Sequence, residues 1–402
     1  MMIDNMRPTR LVPRWLHIGA VLAVSITLFP LLLGQLVTSV RAGMADPYWP
    51  TEPWYLINNY RFDFGYLVEH SHRIAGFLVG GVVSVLALGL WWTEPRPILR
   101  WLGIAGLILL LSAFGQFHAA LWAQKEKPVA ELVWPVQAAG IVGGSAISLL
   151  LLGATAVLSG VRGAGVRLLG VAALVGVMTQ GLLGGFRVML NALVGTDLAA
   201  VHGIFAQFVF GMLVSLAVLT ARPPATRLPE PQGQSLRQWS VILVAFLFIQ
   251  IVWGALVRHN PAPLTQRLHL LTAFLDVAIA VWVIRAVFVN PAMRERVGAL
   301  AWVLTGLLVG QLYLGVEAWM VRFAQYTLPE LVEITPLGAA IRTAHALIGT
   351  GLLATSVALA VRLHQTPVLV PGGGVAPRHL NEPSQPIRQL EAVGTGIGET
   401  SR

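Results

Sequence analysis

Four histidines stand at comparable places in this chain: His72 in EHSHRIAGFLVG, His202 in AAVHGIFAQFVFG, His269 in QRLHLLTAFLD and His345 in RTAHALIGTG. Each opens a long apolar run, and each is followed by small and apolar residues that let helices or a flat ligand approach. The first has company. Glu69, His72 and Arg73 fall at i, i+3 and i+4, so on a helix they share one face. A charged group at the centre of a membrane helix costs roughly 2.5–3.5 kcal/mol; the cost falls near a helix end, but the cluster still asks for a reason.

The elements that must position these residues are membrane helices. Of 402 residues, 56% are hydrophobic and 11% charged, with a mean hydropathy of +0.72. A soluble domain of this length does not have that composition. The apolar runs are continuous and about 20 residues long, which spans hydrocarbon as a helix and argues against a barrel. Ten spans are expected, near 15–40, 68–92, 101–123, 134–158, 166–190, 199–220, 238–258, 267–288, 298–320 and 340–362. The fold class is therefore an all-α polytopic membrane protein.

Charge gives the orientation. With the N-terminus inside, seventeen of the 27 basic residues fall on the inner side, which places both termini in the cytoplasm. The net charge of +9 follows the membrane and is not a nucleic-acid footprint. Absence of cysteine excludes disulfides, thiolate ligands and iron–sulfur clusters. The expected location is the cell (inner) membrane, with the four histidines near its outer face. Residues 1–14 form a cytoplasmic N-terminus, 221–237 a Pro-rich linker between halves, and 364–402 a disordered tail.

The outward-running spans echo one another. LLLGQLVTSVR, TQGLLGGFRV, IQIVWGALVR and VGQLYLGVEAWMVR all carry Gln, Gly and a terminal Arg. Two parallel halves follow, 15–220 and 238–363, each built on four helices. His269 and His345 are 76 residues apart, His72 and His202 130. The excess of 54 is one helical hairpin, so 101–158 reads as an insertion.

Two histidines from facing helices of a bundle can hold haem iron between them. One pair per half gives His72 with His202 and His269 with His345. Zinc is the alternative metal, but it wants further ligands and only Glu69 offers one. Arg41, Arg73, Arg187, Arg258, Arg322 and Arg342 sit at the outer ends of spans. They either snorkel to the interface or face carboxylates such as porphyrin propionates. The second half has Gln266 and Leu270 where the first has Glu69 and Arg73. It reads as a plain electron-transfer site. Glu69 marks the first as catalytic, acting as proton acceptor or stabilising a cation, unless it merely pairs with Arg73. His70 and His259 lie close enough for a supporting role.

The E-x-x-H-R run (Glu69, His72, Arg73), QGLLGG at 180–185 followed by His202, and His269 with His345 together resemble the haem A synthase family. The resemblance covers 15–92 and 166–362. It implies an eight-helix core of two pseudo-symmetric four-helix bundles, which oxidises the C8 methyl of haem O to a formyl group, giving haem A for terminal oxidases. It further implies that His72 and His202 face the substrate haem O, that Glu69 assists the oxidation, and that His269 and His345 ligate a resident haem b. Haem O synthase and oxidase assembly factors are the partners it suggests, along with an electron partner that the sequence does not name and an oligomer. The inserted hairpin is a departure that bears on substrate entry or partner binding. Two other classes fit parts of the pattern: a membrane dihaem cytochrome, which needs no Glu69, and a parallel-repeat transporter, whose site would lie at the midplane instead.

Overall fold

A computed structural model of the chain describes residues 11–46, 48–50, 63–222, 228–229, 232–324, 331–365 and 368–369. Ten of its helices are long and apolar enough to cross a membrane. They are α1 (Arg14–Ser39), α2 (Phe64–Trp92), α3 (Pro97–Trp122), α4 (Val136–Leu158), α5 (Ala164–Met189), α6 (Asp197–Thr220), α7 (Gln232–His259), α8 (Pro263–Val289), α9 (Pro291–Phe323) and α10 (Pro336–Gln365). The chain is an all-α polytopic membrane protein.

Local chemistry sets several helix starts. Asp63 caps α2, accepting from the backbone N–H of Gly65 at 2.8 Å, and Asn290 caps α9 through Ala292 N–H at 3.0 Å. Such caps stabilise by about 1 kcal/mol each. Proline opens α3, α8 and α9, where its missing N–H is one the helix would not have used.

Packing arranges the helices in two rings of four. In the first, α1 packs on α2, α2 on α5, α5 on α6 and α6 on α1; in the second, α7, α8, α9 and α10 close in the same cyclic order. The rings meet through α6 and α1 against α10, and α6 against α7. The pair α3 and α4 stands outside the first ring against α2 and α5, where an inserted hairpin belongs. Gly103 of α3 lies directly under the fully buried Trp91 ring of α2, leaving no room for a side chain. The outward surface is apolar, as lipid requires: Ile98, Phe274 and Leu158 are more than 70% exposed.

The opposite end from the histidines has its own ties. Glu94 is buried between Arg96, at 3.0 Å, and Arg167, at 3.3 Å, which fixes the α2–α3 turn to α5. Arg237 donates to the Leu363 carbonyl at 3.0 Å, and Leu228–Pro229 (β1) pairs in parallel with Val368–Leu369 (β2). The linker is therefore shorter than read from sequence, because α7 begins at Gln232 rather than 238. The expected disordered tail gives up its first residues to α10 and β2; residues 370–402 lie outside those described.

Candidate functional site

The four histidines come together as two pairs with one geometry. The His72 and His202 rings have centroids 6.2 Å apart and planes at 84°. For His269 and His345 the values are 6.4 Å and 84°. The four lie eight, five, six and nine residues inside their helices. His72 and His345 are thus just over two turns in, deeper than the sequence implied, since α2 and α10 start at Phe64 and Pro336, ahead of their apolar runs.

Each ring is seated by the helix before it. A methyl group at Gly34 would stand 2.9 Å from His72 Cε1; the same carbon of His202 would meet one at Gly184 at 3.1 Å, that of His269 one at Gly254 at 3.1 Å, and that of His345 one at Gly315 at 3.2 Å. Only hydrogen fits at these four positions without moving the ring. Four residues before each glycine stand Pro30, Gln180, Gln250 and Gln311. His72 Nδ1 hydrogen-bonds to the Pro30 carbonyl at 2.8 Å. The backbones of Gln180, Gln250 and Gln311 face His202, His269 and His345 in the same register. For His269 and His345 the approach stops short of a closed hydrogen bond, and their Nδ1 atoms are buried without a partner. The glutamine amides add a second hold: Gln180 Nε2 donates to the His202 carbonyl at 3.1 Å and Gln250 Nε2 to that of His269 at 3.0 Å. Gln180 Nε2 also lies 3.1 Å from His202 Nδ1.

A ring that directs Nδ1–H at a backbone carbonyl presents a bare Nε2 lone pair, the arrangement usual for a metal-ligating histidine. The separation also fits. An imidazole nitrogen sits about 2.0 Å from a bound metal and about 1.2 Å from its own ring centre, so two opposed rings on one ion stand about 6.4 Å apart. Among the described residues no group of three or more His, Asp and Glu converges on one point. Each pair could offer two ligands, which would suit a metal that brings the rest, as a tetrapyrrole iron does.

Among the described residues, an ionic cluster of Glu69, Arg73 and Asp46 stands beside the first pair. Glu69 is 1% exposed. Its Oε1 accepts from Arg73 at 2.9 Å and its Oε2 from the Asp46 N–H at 2.9 Å. Arg73 further binds Asp46 Oδ2 at 3.0 Å, the Asp46 carbonyl at 2.6 Å and the Tyr48 carbonyl at 2.5 Å. His70, fully buried, hydrogen-bonds to Asp46 Oδ2 at 3.2 Å and stacks on Tyr66. The pairing of Glu69 with Arg73 is therefore formed, and the cluster clamps the chain after α1 onto the start of α2. Trp49 continues the clamp, resting on Gly185 of α5 and 5.3 Å from the His118 ring of α3. Residues 47 and 51–62 of the expected outer cap lie outside those described.

The remaining arginines gather where the two rings of helices meet. Arg258 of α7 reaches across to α1, binding the Gln35 side chain, the Gln35 carbonyl at 2.7 Å and Ser39 Oγ at 2.6 Å. Arg342 donates to the Ser39 carbonyl at 2.8 Å, Arg322 to the Arg258 carbonyl at 3.2 Å, and Arg41 to Val332 at 3.4 Å. Arg187 packs on Gly43, within electrostatic reach of Glu69 and Arg73. His259 lies within the same reach of Arg187 and Arg322.

Sequence reasoning singled out the four histidines, Glu69 and the arginines. It missed Asp46 as their acidic partner and the four glycine seats, although the Gln-x-x-x-Gly spacing was there in three of the four repeats. A groove of about 490 Å³ opens between α3 and α4, away from the histidines. No family model, no curated protein and no solved structure matches this chain.

Proposed function

We propose that each histidine pair holds one haem iron, and that the protein oxidises the C8 methyl of haem O to the formyl group of haem A. The observation that carries the first part is the repetition: two pairs, one separation, one angle and the same glycine beneath every ring. A single pair at 6 Å would also suit an edge-to-face aromatic contact. Two such pairs, each ring seated on an equivalent glycine, are better explained by a shared ligand.

His269 and His345 hold the resident haem b, and His72 and His202 receive haem O. Bound haem supplies an iron that accepts and passes single electrons. The chain supplies what surrounds it. The glycines set the rings, the Pro30 carbonyl orients His72, the Gln180 and Gln250 amides hold the backbone of His202 and His269, and the arginines at the junction of the rings offer charge to propionates. Glu69, Arg73 and Asp46 occur only beside the first pair, which supports assigning conversion to that half. The histidine end faces outward from the cytoplasmic membrane, both termini lie inside, and haem O synthase and oxidase assembly factors are the expected neighbours.

One observation favours a second reading. Both Glu69 oxygens are engaged, as they would be in a dihaem cytochrome that only carries electrons. Co-expression with a haem O supply, followed by haem extraction and mass spectrometry, separates the two. Haem A or a C8-hydroxylated intermediate supports the enzyme. Haem B alone, with haem O present, supports the cytochrome. No haem at all contradicts both.

A further inference from the structure

Asp276 of α8 stands seven residues beyond His269, two turns deeper into the span and about 10 Å along the axis. It is 4% exposed and shares the inward stripe with the buried Ala280 and Val283. Neither carboxyl oxygen has a hydrogen-bond partner among the described residues. A carboxylate buried in a membrane bundle without a partner is expensive, and such groups mark function more often than packing.

The surroundings offer no cation. On α7 no titratable side chain lies between Arg237 and Arg258; on α9 the one between Arg296 and Glu317 is the exposed Tyr313; on α10 none lies between His345 and Arg362. On α8 itself Asp276 is alone between His269 and Arg285. The corresponding place in the first half, seven residues past His72, is Val79, so the group belongs to one site and not to the repeat.

We infer that Asp276 is the redox-linked protonation site of the second histidine pair. The inference rests on the reading that His269 and His345 hold haem. With the iron ferric, its net positive charge balances an ionised Asp276. When one electron arrives from a one-electron reductant and the iron becomes ferrous, that balance is lost and Asp276 takes up one proton to become a neutral acid. Oxidation returns the electron and releases the proton.

The test uses full-length protein produced without haem O, so that only the second site is loaded, with dithionite as reductant and redox mediators present. The midpoint potential is measured across a pH series. Wild type is expected to fall by as much as about 59 mV per pH unit, the value for one proton per electron. Asp276→Asn, neutral and nearly the same size, is expected to be flat over that range, and Asp276→Glu to restore the slope. The reduced-minus-oxidised infrared spectrum of wild type should gain a protonated-carboxyl band that Asp276→Asn lacks. An Asp276→Asn protein with the wild-type slope and band would overturn the assignment while leaving the haem site intact. A protein that binds no haem at His269 and His345 would overturn the assignment and the site together.

Discussion

The carbonyl oxygen of Pro30 accepts a hydrogen bond from His72 Nδ1 at 2.8 Å, and the helix carrying Pro30 offers Gly34 as the seat of the same ring. Orientation and clearance thus come from one stretch of α1. The other three histidines repeat the glycine seat, with glutamine in place of proline four residues before it, while the Nδ1 atoms of His269 and His345 close no hydrogen bond among the described residues.

The seats predict a graded steric effect. Gly254→Ala forces the His269 ring to give by a few tenths of an ångström and should change the haem spectrum with modest loss of occupancy. Gly254→Val overpacks the seat at about 1–3 kcal/mol, roughly a five- to 150-fold loss of haem affinity. The haem-to-protein ratio checks this. Wild-type occupancy in the valine variant would remove the seat from the account.

The two pairs should separate by mutation. His269→Ala or His345→Ala should strip the resident haem. His72→Ala or His202→Ala should leave it in place and stop conversion of haem O. Pyridine haemochrome analysis with mass spectrometry reads both.

The buried ionic cluster gives a stability prediction. Asp46→Ala leaves Arg73 and His70 without their shared carboxylate, and breaking such a buried pair costs about 3–5 kcal/mol. A lower melting temperature and faster proteolysis near residues 42–50 are expected. Glu69→Ala should keep the resident haem yet lose conversion; normal conversion would confine Glu69 to clamping the chain after α1.

Arg258 predicts a coupling between halves. Hydrogen bonds to charged groups contribute about 1.5–3 kcal/mol each, so Arg258→Ala should loosen α1 from the second ring of helices. Arg258→Lys cannot reproduce a fork that holds both Gln35 and Ser39. Differential scanning calorimetry should show a drop in both variants, larger for alanine.

How much of this was legible in the sequence follows from what hydropathy encodes. Apolar run length set the ten spans, and the positions of His72, His202, His269 and His345 set a common depth. The 54-residue excess exposed the inserted hairpin. Hydropathy says little about which way a helix is turned, so the contacts of Gly34, Gly184, Gly254 and Gly315 were hidden, as was the substitution of Pro30 for glutamine. Partners brought together by the fold were hidden too. Asp46 reaches Arg73 from 27 residues away in the sequence, and Arg258 reaches Gln35 from the other half of the chain. The helices α2 and α7 begin at Phe64 and Gln232, four and six residues before the expected spans, because apolar run length marks a span and not the helix that contains it.

The most direct measurement is low-temperature electron paramagnetic resonance of the ferric protein purified without a haem O supply, beside His269→Ala and His345→Ala. Two imidazoles at 84° on one iron predict a strongly anisotropic low-spin signal, the signature of near-perpendicular axial planes, lost in either variant. A haem-free protein, or a haem signal unchanged in both variants, would contradict the pairing of these histidines on a common iron.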